Sequence, residues 1–246
     1  MTMLHDATEI EPTREAVLDI SALHFTYPGG HQALHDLSLT LHPGEKVALV
    51  GANGAGKSTL LLNLAGILKG KGTIRVGGVE LTPANLPVIR GKVGLVFQNP
   101  DDQLFCPTVF DDVAFGPLHM GLPRDEVRRL VFHALEHVGM TDYADRLSHH
   151  LSVGEKKRIA IATVLSMDPQ ILVLDEPSAG LDPRARRSLI ALLRELPQAM
   201  LVATHDMALV QDLLPRTVVL EHGSVLADGP TGAILEDAAL LDRAHL

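Results

Sequence analysis

Nine consecutive residues, Gly51-Ala52-Asn53-Gly54-Ala55-Gly56-Lys57-Ser58-Thr59, fit the pattern G-x-x-x-x-G-K-[ST] without a mismatch. The chemistry open to such a set is the binding of a polyphosphate. Successive backbone N–H groups at the positive end of a helix dipole point at the anion, and glycines let the main chain come close. Lys57 then sets a point charge on the β- and γ-phosphates, and Ser58 offers a hydroxyl to Mg²⁺. Residues 47–50 are a short apolar run that reads as a buried strand, and residues 60–68 read as a helix, so the context is strand, loop, helix. The loop by itself does not separate kinases, GTPases and transport ATPases.

A second set of candidates lies at the ends of other apolar runs. Ile171-Leu172-Val173-Leu174 ends in Asp175-Glu176, the form of a Walker B strand. Adjacent acids there are costly unless a cation is near, so Asp175 is assigned to the Mg²⁺ shell and Glu176 to polarising or deprotonating an attacking water. The run 93–97 ends at Gln98, and the run 200–204 ends at His205. Ligands of an open parallel sheet lie outside the carboxyl ends of its strands, so these groups are expected to converge with Gly51 on one crevice.

The elements that must position these residues can be read in outline. Residues 1–16 look like a polar tail, and 17–230 like a single α/β domain. In it, alternating runs at 17–20, 22–27, 37–41 and 73–76 suggest an antiparallel β layer beside the parallel sheet. Helical character dominates about 99–165, where Val127, Leu130, Val131, Ala134, Leu135 and Val138 form an amphipathic stripe. One more amphipathic helix is expected over 231–246.

Composition narrows the classes. The chain has 246 residues and a formal net charge of −9. A nucleic-acid partner is therefore not expected, since such binders carry a basic excess. The single cysteine, Cys106, excludes an internal disulfide, fits a reducing compartment, and reads as a packing residue rather than a reactive thiol. No secretory leader is expected in the first thirty residues, of which 1–15 are polar and partly acidic, and no apolar window approaches the length of a membrane span. His133-Ala134-Leu135-Glu136-His137 matches the zinc-hydrolase pattern H-x-x-E-H, but on the amphipathic helix these polar groups fall on the side away from the apolar stripe, which reads as a solvated face.

Leu151-Ser152-Val153-Gly154-Glu155-Lys156-Lys157-Arg158, just ahead of a helix, resembles the signature motif of ATP-binding-cassette (ABC) ATPases. The resemblance runs from Val17 to about Gly229 and includes, in order, Tyr27, the phosphate loop, Gln98, the signature, Asp175-Glu176, Ser178-Ala179-Gly180-Leu181-Asp182 and His205. It implies a P-loop NTPase fold: a RecA-like parallel sheet, an antiparallel β subdomain and an inserted helical subdomain. It also implies ATP and Mg²⁺ as ligands. Tyr27 would stack on adenine, Gln98 would reach Mg²⁺ and the attacking water, and His205 would contact the γ-phosphate. Ser152 and Gly154 would close on the nucleotide held by Lys57 of a second chain paired head to tail, with Asp182 joining the two sites.

The signature departs from the common L-S-G-G-Q form at Val153 and Glu155. An ionised Glu155 can only accept hydrogen bonds, which suits ribose hydroxyls and not phosphate. Asn99-Pro100-Asp101-Asp102-Gln103-Leu104-Phe105 and Asp111-Asp112-Val113-Ala114-Phe115-Gly116-Pro117 resemble the energy-coupling-factor importers, and the string from Ser152 to Arg158 resembles their cobalt and nickel uptake ATPases. Vitamin importers share the first feature and stand as the alternative, with non-transport ABC ATPases further off. Some energy-coupling importers pair two different ATPases, so homodimer and heterodimer both stay open, and the full set of site residues on this one chain favours the homodimer. The resemblance implies a peripheral place on the cytoplasmic face of the cell membrane, integral membrane partners, and a cargo that never touches this chain.

Overall fold

The computed structural model describes residues 15–244. All but the last residues of the expected polar tail, and the last two residues of the expected C-terminal helix, lie outside that range. In chain order the elements are β1 (Leu18–Thr26), β2 (Gln32–Leu41), β3 (Lys46–Val50), α1 (Lys57–Leu64), β4 (Lys71–Val76), β5 (Val79–Glu80), α2 (Leu86–Lys92) and β6 (Val93–Val96). There follow α3 (Val109–His119), α4 (Arg124–His137), α5 (Val153–Leu165), β7 (Ile171–Asp175), α6 (Pro183–Glu195) and β8 (Ala199–Ala203). The described chain ends with α7 (Met207–Leu213), β9 (Arg216–Glu221), β10 (Ser224–Pro230), α8 (Thr231–Glu236) and α9 (Ala238–Arg243).

Two sheets result. One is antiparallel, in the order β2-β1-β4-β5; the other runs β10-β9-β3-β8-β7-β6, parallel from β9 to β6 with β10 antiparallel at its edge. The aliphatic runs of β3, β7 and β8 are buried on both faces, as strands covered on two sides must be. Their two-residue period divides the core. Ala48, Val50, Leu172, Leu174, Met200 and Val202 face the helical side, whereas Val47, Leu49, Ile171, Val173 and Leu201 pack with α1 and the antiparallel sheet.

The helices α3, α4 and α5 come between β6 and β7, which is the insertion expected at about 99–165. Val127, Val131, Ala134 and Leu135 of α4 are buried in the helical core, while His133, Glu136 and His137 are exposed. The expected single C-terminal helix is instead two short ones. Asp237 leaves the helical conformation, with φ of −83° and ψ of 85°, and its side chain accepts the N–H of Leu240 at 2.9 Å to cap α9.

Candidate functional site

The phosphate loop leaves β3 and enters α1 through glycines that sequence alternatives could not replace. At Gly51, with φ of 148°, a Cβ would collide with the carbonyl oxygen of Leu220; at Gly56, with φ of 106°, it would come within 2.7 Å of the Ala33 carbonyl oxygen. Lys57 folds back over the loop, donating from Nζ to the carbonyls of Gly51 at 2.6 Å and Ala52 at 3.1 Å. Burial lowers its ammonium pKa, and the carboxylates of Glu176 and Asp175 oppose that shift.

A cavity of about 460 Å³ opens over the loop, with Asn53, Gly54, Gly56, Lys57, Ser58 and Thr59 along its floor. Gln98, Asp175, Glu176 and His205 reach it from the ends of β6, β7 and β8, and Tyr27 with His31 from the β1–β2 turn. Gly51 and Ala55 shape the loop from behind. Burial raises the carboxyl pKa of Asp175, with the Ser58 hydroxyl bond pulling the other way and Glu176 adding to the rise. A hydroxyl, a carboxylate and an amide oxygen in one polar cleft, with a second acid beside them, form a hard-oxygen donor set that fits Mg²⁺.

Glu176 is held from several directions. Its Oε2 accepts from the Thr204 hydroxyl at 3.1 Å and the His205 N–H at 3.3 Å, and its Oε1 lies 2.8 Å from His205 Nδ1. A carboxylate so fixed can orient a water without rearranging. Tyr27 is 37% exposed and is tied to the loop, its hydroxyl 3.1 Å from Thr59 Oγ1. The His31 ring lies nearly parallel to it, at 12° and 6.4 Å between centroids.

Ser152, Gly154, Glu155 and Asp182 do not line this cavity. Ser152 caps α5 in a reciprocal capping box with Glu155. Its N–H donates to Glu155 Oε2 at 2.8 Å and its hydroxyl donates to the same oxygen at 2.7 Å, while Tyr143 donates to Oε1 at 2.8 Å. These bonds, led by that of the Ser152 hydroxyl, hold the Glu155 carboxyl below the usual range. Glu155 is thus occupied inside the chain, a role the sequence reading did not give it. Asp182 caps α6 by accepting the N–H groups of Arg184 and Ala185. A Cβ on Gly154 would stand 3.3 Å from Ala185, so the heads of α5 and α6 abut.

Sequence reasoning missed Lys157, whose Nζ donates to the carbonyls of Gln98 at 3.0 Å and Glu176 at 3.1 Å. A signal existed: Lys157 shares a helical stripe with Ala160, Ile161 and Val164, all buried. It also missed the pairing of Arg186 with Asp206, two bonds of 2.6 and 2.7 Å, with Ser178 donating to the same acid at 2.8 Å. Among the described residues, no group of three or more His, Cys, Asp or Glu side chains could hold a metal ion, and His133 and His137 merely meet edge to face.

A family profile described as "ABC transporter" matches residues 34–179. The energy-coupling factor transporter ATP-binding protein EcfA of Methanothermobacter thermautotrophicus is 47% identical over 236 residues, covering 94% of this chain and 76% of that protein. Among solved structures, cbiO1 of Clostridium perfringens, part of the ABC transporter complex cbiONQ, superposes with a TM-score of 0.82 at 37% identity, covering 93% of this chain and 94% of the other. A dimeric ATP-binding cassette in a post-hydrolysis state, bound to ADP and Pi, superposes with a TM-score of 0.76 at 25% identity, covering 87% and 98%.

Proposed function

This chain belongs to the ATP-binding family of ABC transporters, in the energy-coupling-factor group, and from that premise we propose that it hydrolyses ATP to drive uptake of cobalt or nickel through membrane subunits on whose cytoplasmic face it sits. The observation that carries this reading is the convergence of Lys57, Gln98, Asp175, Glu176 and His205 on one cavity. Tyr27 offers a ring face to the base. The loop N–H groups and Lys57 bind the phosphates, and Ser58, Asp175 and Gln98 would hold Mg²⁺, which neutralises charge developing on the transferred phosphoryl group. Glu176 orients and deprotonates the attacking water, and His205 reaches toward the γ-phosphate from the next strand.

The signature residues do not line that cavity, so in this reading they serve a second copy. Ser152 and Gly154 present the N-terminus of α5 to the nucleotide of a head-to-tail partner, and Asp182 lies beside them on α6. A homodimer is favoured because one chain carries both halves of the composite site. The likeness to a dimeric cassette supports the same arrangement.

A groove of about 820 Å³ between α2, β6, α3 and α5 supports a membrane partner. Phe105 is 65% exposed there, and Ile67, Val88, Phe115 and Met120 extend the apolar surface. Phe97, Gln103 and Phe105 line one side of the groove, and Gln103 Oε1 accepts the N–H of Phe97, the neighbour of Gln98, at 3.1 Å, so a helix seated there would sense the nucleotide through this segment. Among the described residues no helix is long and apolar enough to cross a membrane. The metal assignment is supported by the string from Ser152 to Arg158, which resembles that of cobalt and nickel uptake ATPases.

The test is to purify the chain from membranes in mild detergent, identify what accompanies it, and measure uptake of radiolabelled cobalt and nickel by cells carrying that complex. Integral membrane proteins and ATP-dependent metal uptake abolished by Glu176→Gln are expected. A membrane complex that moves neither metal would redirect the cargo to vitamins, and recovery of ribosomes or nucleic acid would reject the importer reading.

A further inference from the structure

Lys157 is 4% exposed, in a helix whose other buried residues are Ile159, Ala160, Ile161, Ala162 and Val164. Withdrawing an ammonium from water is costly unless its protons are used. Here they go to two main-chain carbonyls, of Gln98 and of Glu176, each just past the end of a neighbouring strand. Burial lowers the ammonium pKa, and Glu176 and Asp175 offset part of the shift.

The backbone that Lys157 grips at Glu176 is unusual. Glu176 has φ of 44°, a left-handed conformation that residues with a Cβ adopt only when their surroundings impose it. Its N–H donates to Ala203 O at 2.8 Å, and its carbonyl accepts from Ala179 N–H and Lys157 Nζ, both at 3.1 Å. Side-chain contacts to Thr204 and His205 then aim the carboxylate from that fixed point. On the other side, α5 is bound to the segment after β6 by Lys156 to Asp101 at 2.6 Å and by Gln103 Nε2 to Ala160 O at 2.9 Å and Thr163 Oγ1 at 2.8 Å.

We infer that Lys157 is a positioning residue for hydrolysis: it ties the backbone of Glu176 and of Gln98 to α5, so that the seating of Ser152 and Gly154, at the head of that helix, on a neighbour's nucleotide is felt at this chain's own water-activating carboxylate. The inference rests on the ATPase reading above and adds a link between the two half-sites of one chain. Lys57 and the phosphate loop make no use of Lys157, so nucleotide binding and hydrolysis separate when it is lost.

The test compares Lys157→Met and Lys157→Arg with the parent, using the full-length chain in the complex that carries it. ATP affinity, kcat and KM are measured, together with ATP-driven dimerisation in a Glu176→Gln background. For Lys157→Met, kcat falls by about tenfold or more while ATP affinity, KM and dimerisation stay within about threefold. Lys157→Arg keeps hydrogen-bond donors and recovers part of the lost kcat. The inference is overturned if Lys157→Met turns over within about twofold of the parent, or if binding, dimerisation and turnover fall together in both variants. Should Lys157→Met fail to fold, Lys157→Gln is judged by the same criteria. A parent without ATP turnover would reject the ATPase reading itself, and this inference with it.

Discussion

The phosphate loop and the head of α5 both offer helix N-terminal N–H groups, yet the chain builds them differently. The loop is a walled cradle whose lysine already lies on its own carbonyls and whose carboxylates are fixed by neighbours. The head of α5 is open to solvent, with Ser152 exposed and Val153 48% exposed, and its capping bonds are made within the chain. The first is organised to receive a ligand alone. The second has a surface but no walls, and in the proposed dimer a second copy supplies the rest. That asymmetry is what a two-chain composite site requires.

The largest effect expected from the difference comes from paired substitutions. Lys57→Ala removes a charge-assisted bond of about 1.5–3 kcal/mol, so ATP affinity of the isolated chain should fall by about tenfold to a hundredfold. Ser152→Ala should leave that affinity within about twofold and lower turnover by about tenfold if, as proposed, its hydroxyl acts on the other chain's nucleotide. Calorimetric titration of the isolated chain and turnover of the assembled complex give the two numbers. If Ser152→Ala weakened ATP binding to the isolated chain as much as Lys57→Ala, the division into cradle and half-site would collapse.

The cradle was more legible in the sequence than the half-site, for a physical reason. A loop that wraps a polyphosphate must place glycines and a lysine at fixed intervals, and the strands that flank it must be aliphatic on both faces, so residues 47–59 announce their structure. The ends of β6, β7 and β8 were equally plain, because each polar residue follows an apolar run. Partners distant in sequence were not. Tyr143 lies 12 positions from Glu155 and Lys157 lies 59 from Gln98, and only the packing of the helical lobe brings them together. The break at Asp237 was hidden for another reason: α8 and α9 together keep an apolar pattern that one helix would also show.

A smaller effect separates the two regions by stability rather than binding. Glu155→Ala dissolves the capping box, a loss of about 0.3–1.5 kcal/mol, which in a chain of this size lowers the melting midpoint by a few degrees. Tyr143→Phe removes one bond to Glu155 and leaves both bonds from Ser152, so its shift should be the lesser. Because the folded-state carboxyl of Glu155 is depressed, its contribution is present above the ordinary glutamate range and is lost as pH falls through the lowered value. Neither variant should alter ATP affinity of the isolated chain, since neither side chain lines the cavity. Melting curves with and without MgATP check both statements, and a nucleotide-dependent gap between variant and parent would join the capping box to the cradle.

The smallest effect concerns Cys106, between the segment after β6 and α3. Its thiol is pushed up to about 11, chiefly by burial and then by Asp112, whose Oδ1 accepts the Cys106 N–H at 2.8 Å. Relative to a free thiol at about 9.0, the shift lowers the thiolate fraction near neutral pH by about a hundredfold. Nucleophilicity rises with thiol pKa at a Brønsted slope of about 0.4–0.5, so the net slowing of alkylation is about tenfold. Iodoacetamide at pH 7.5 should therefore label the folded chain about ten times more slowly than the chain in denaturant, with the gap closing by about pH 10. The same reaction tests the contrast between the regions. If the cradle closes on ATP while the helical lobe keeps its internal contacts, MgATP leaves the labelling rate unchanged, and an accelerated rate would mean that Asp112 and the Phe105–Cys106 backbone part company when nucleotide binds.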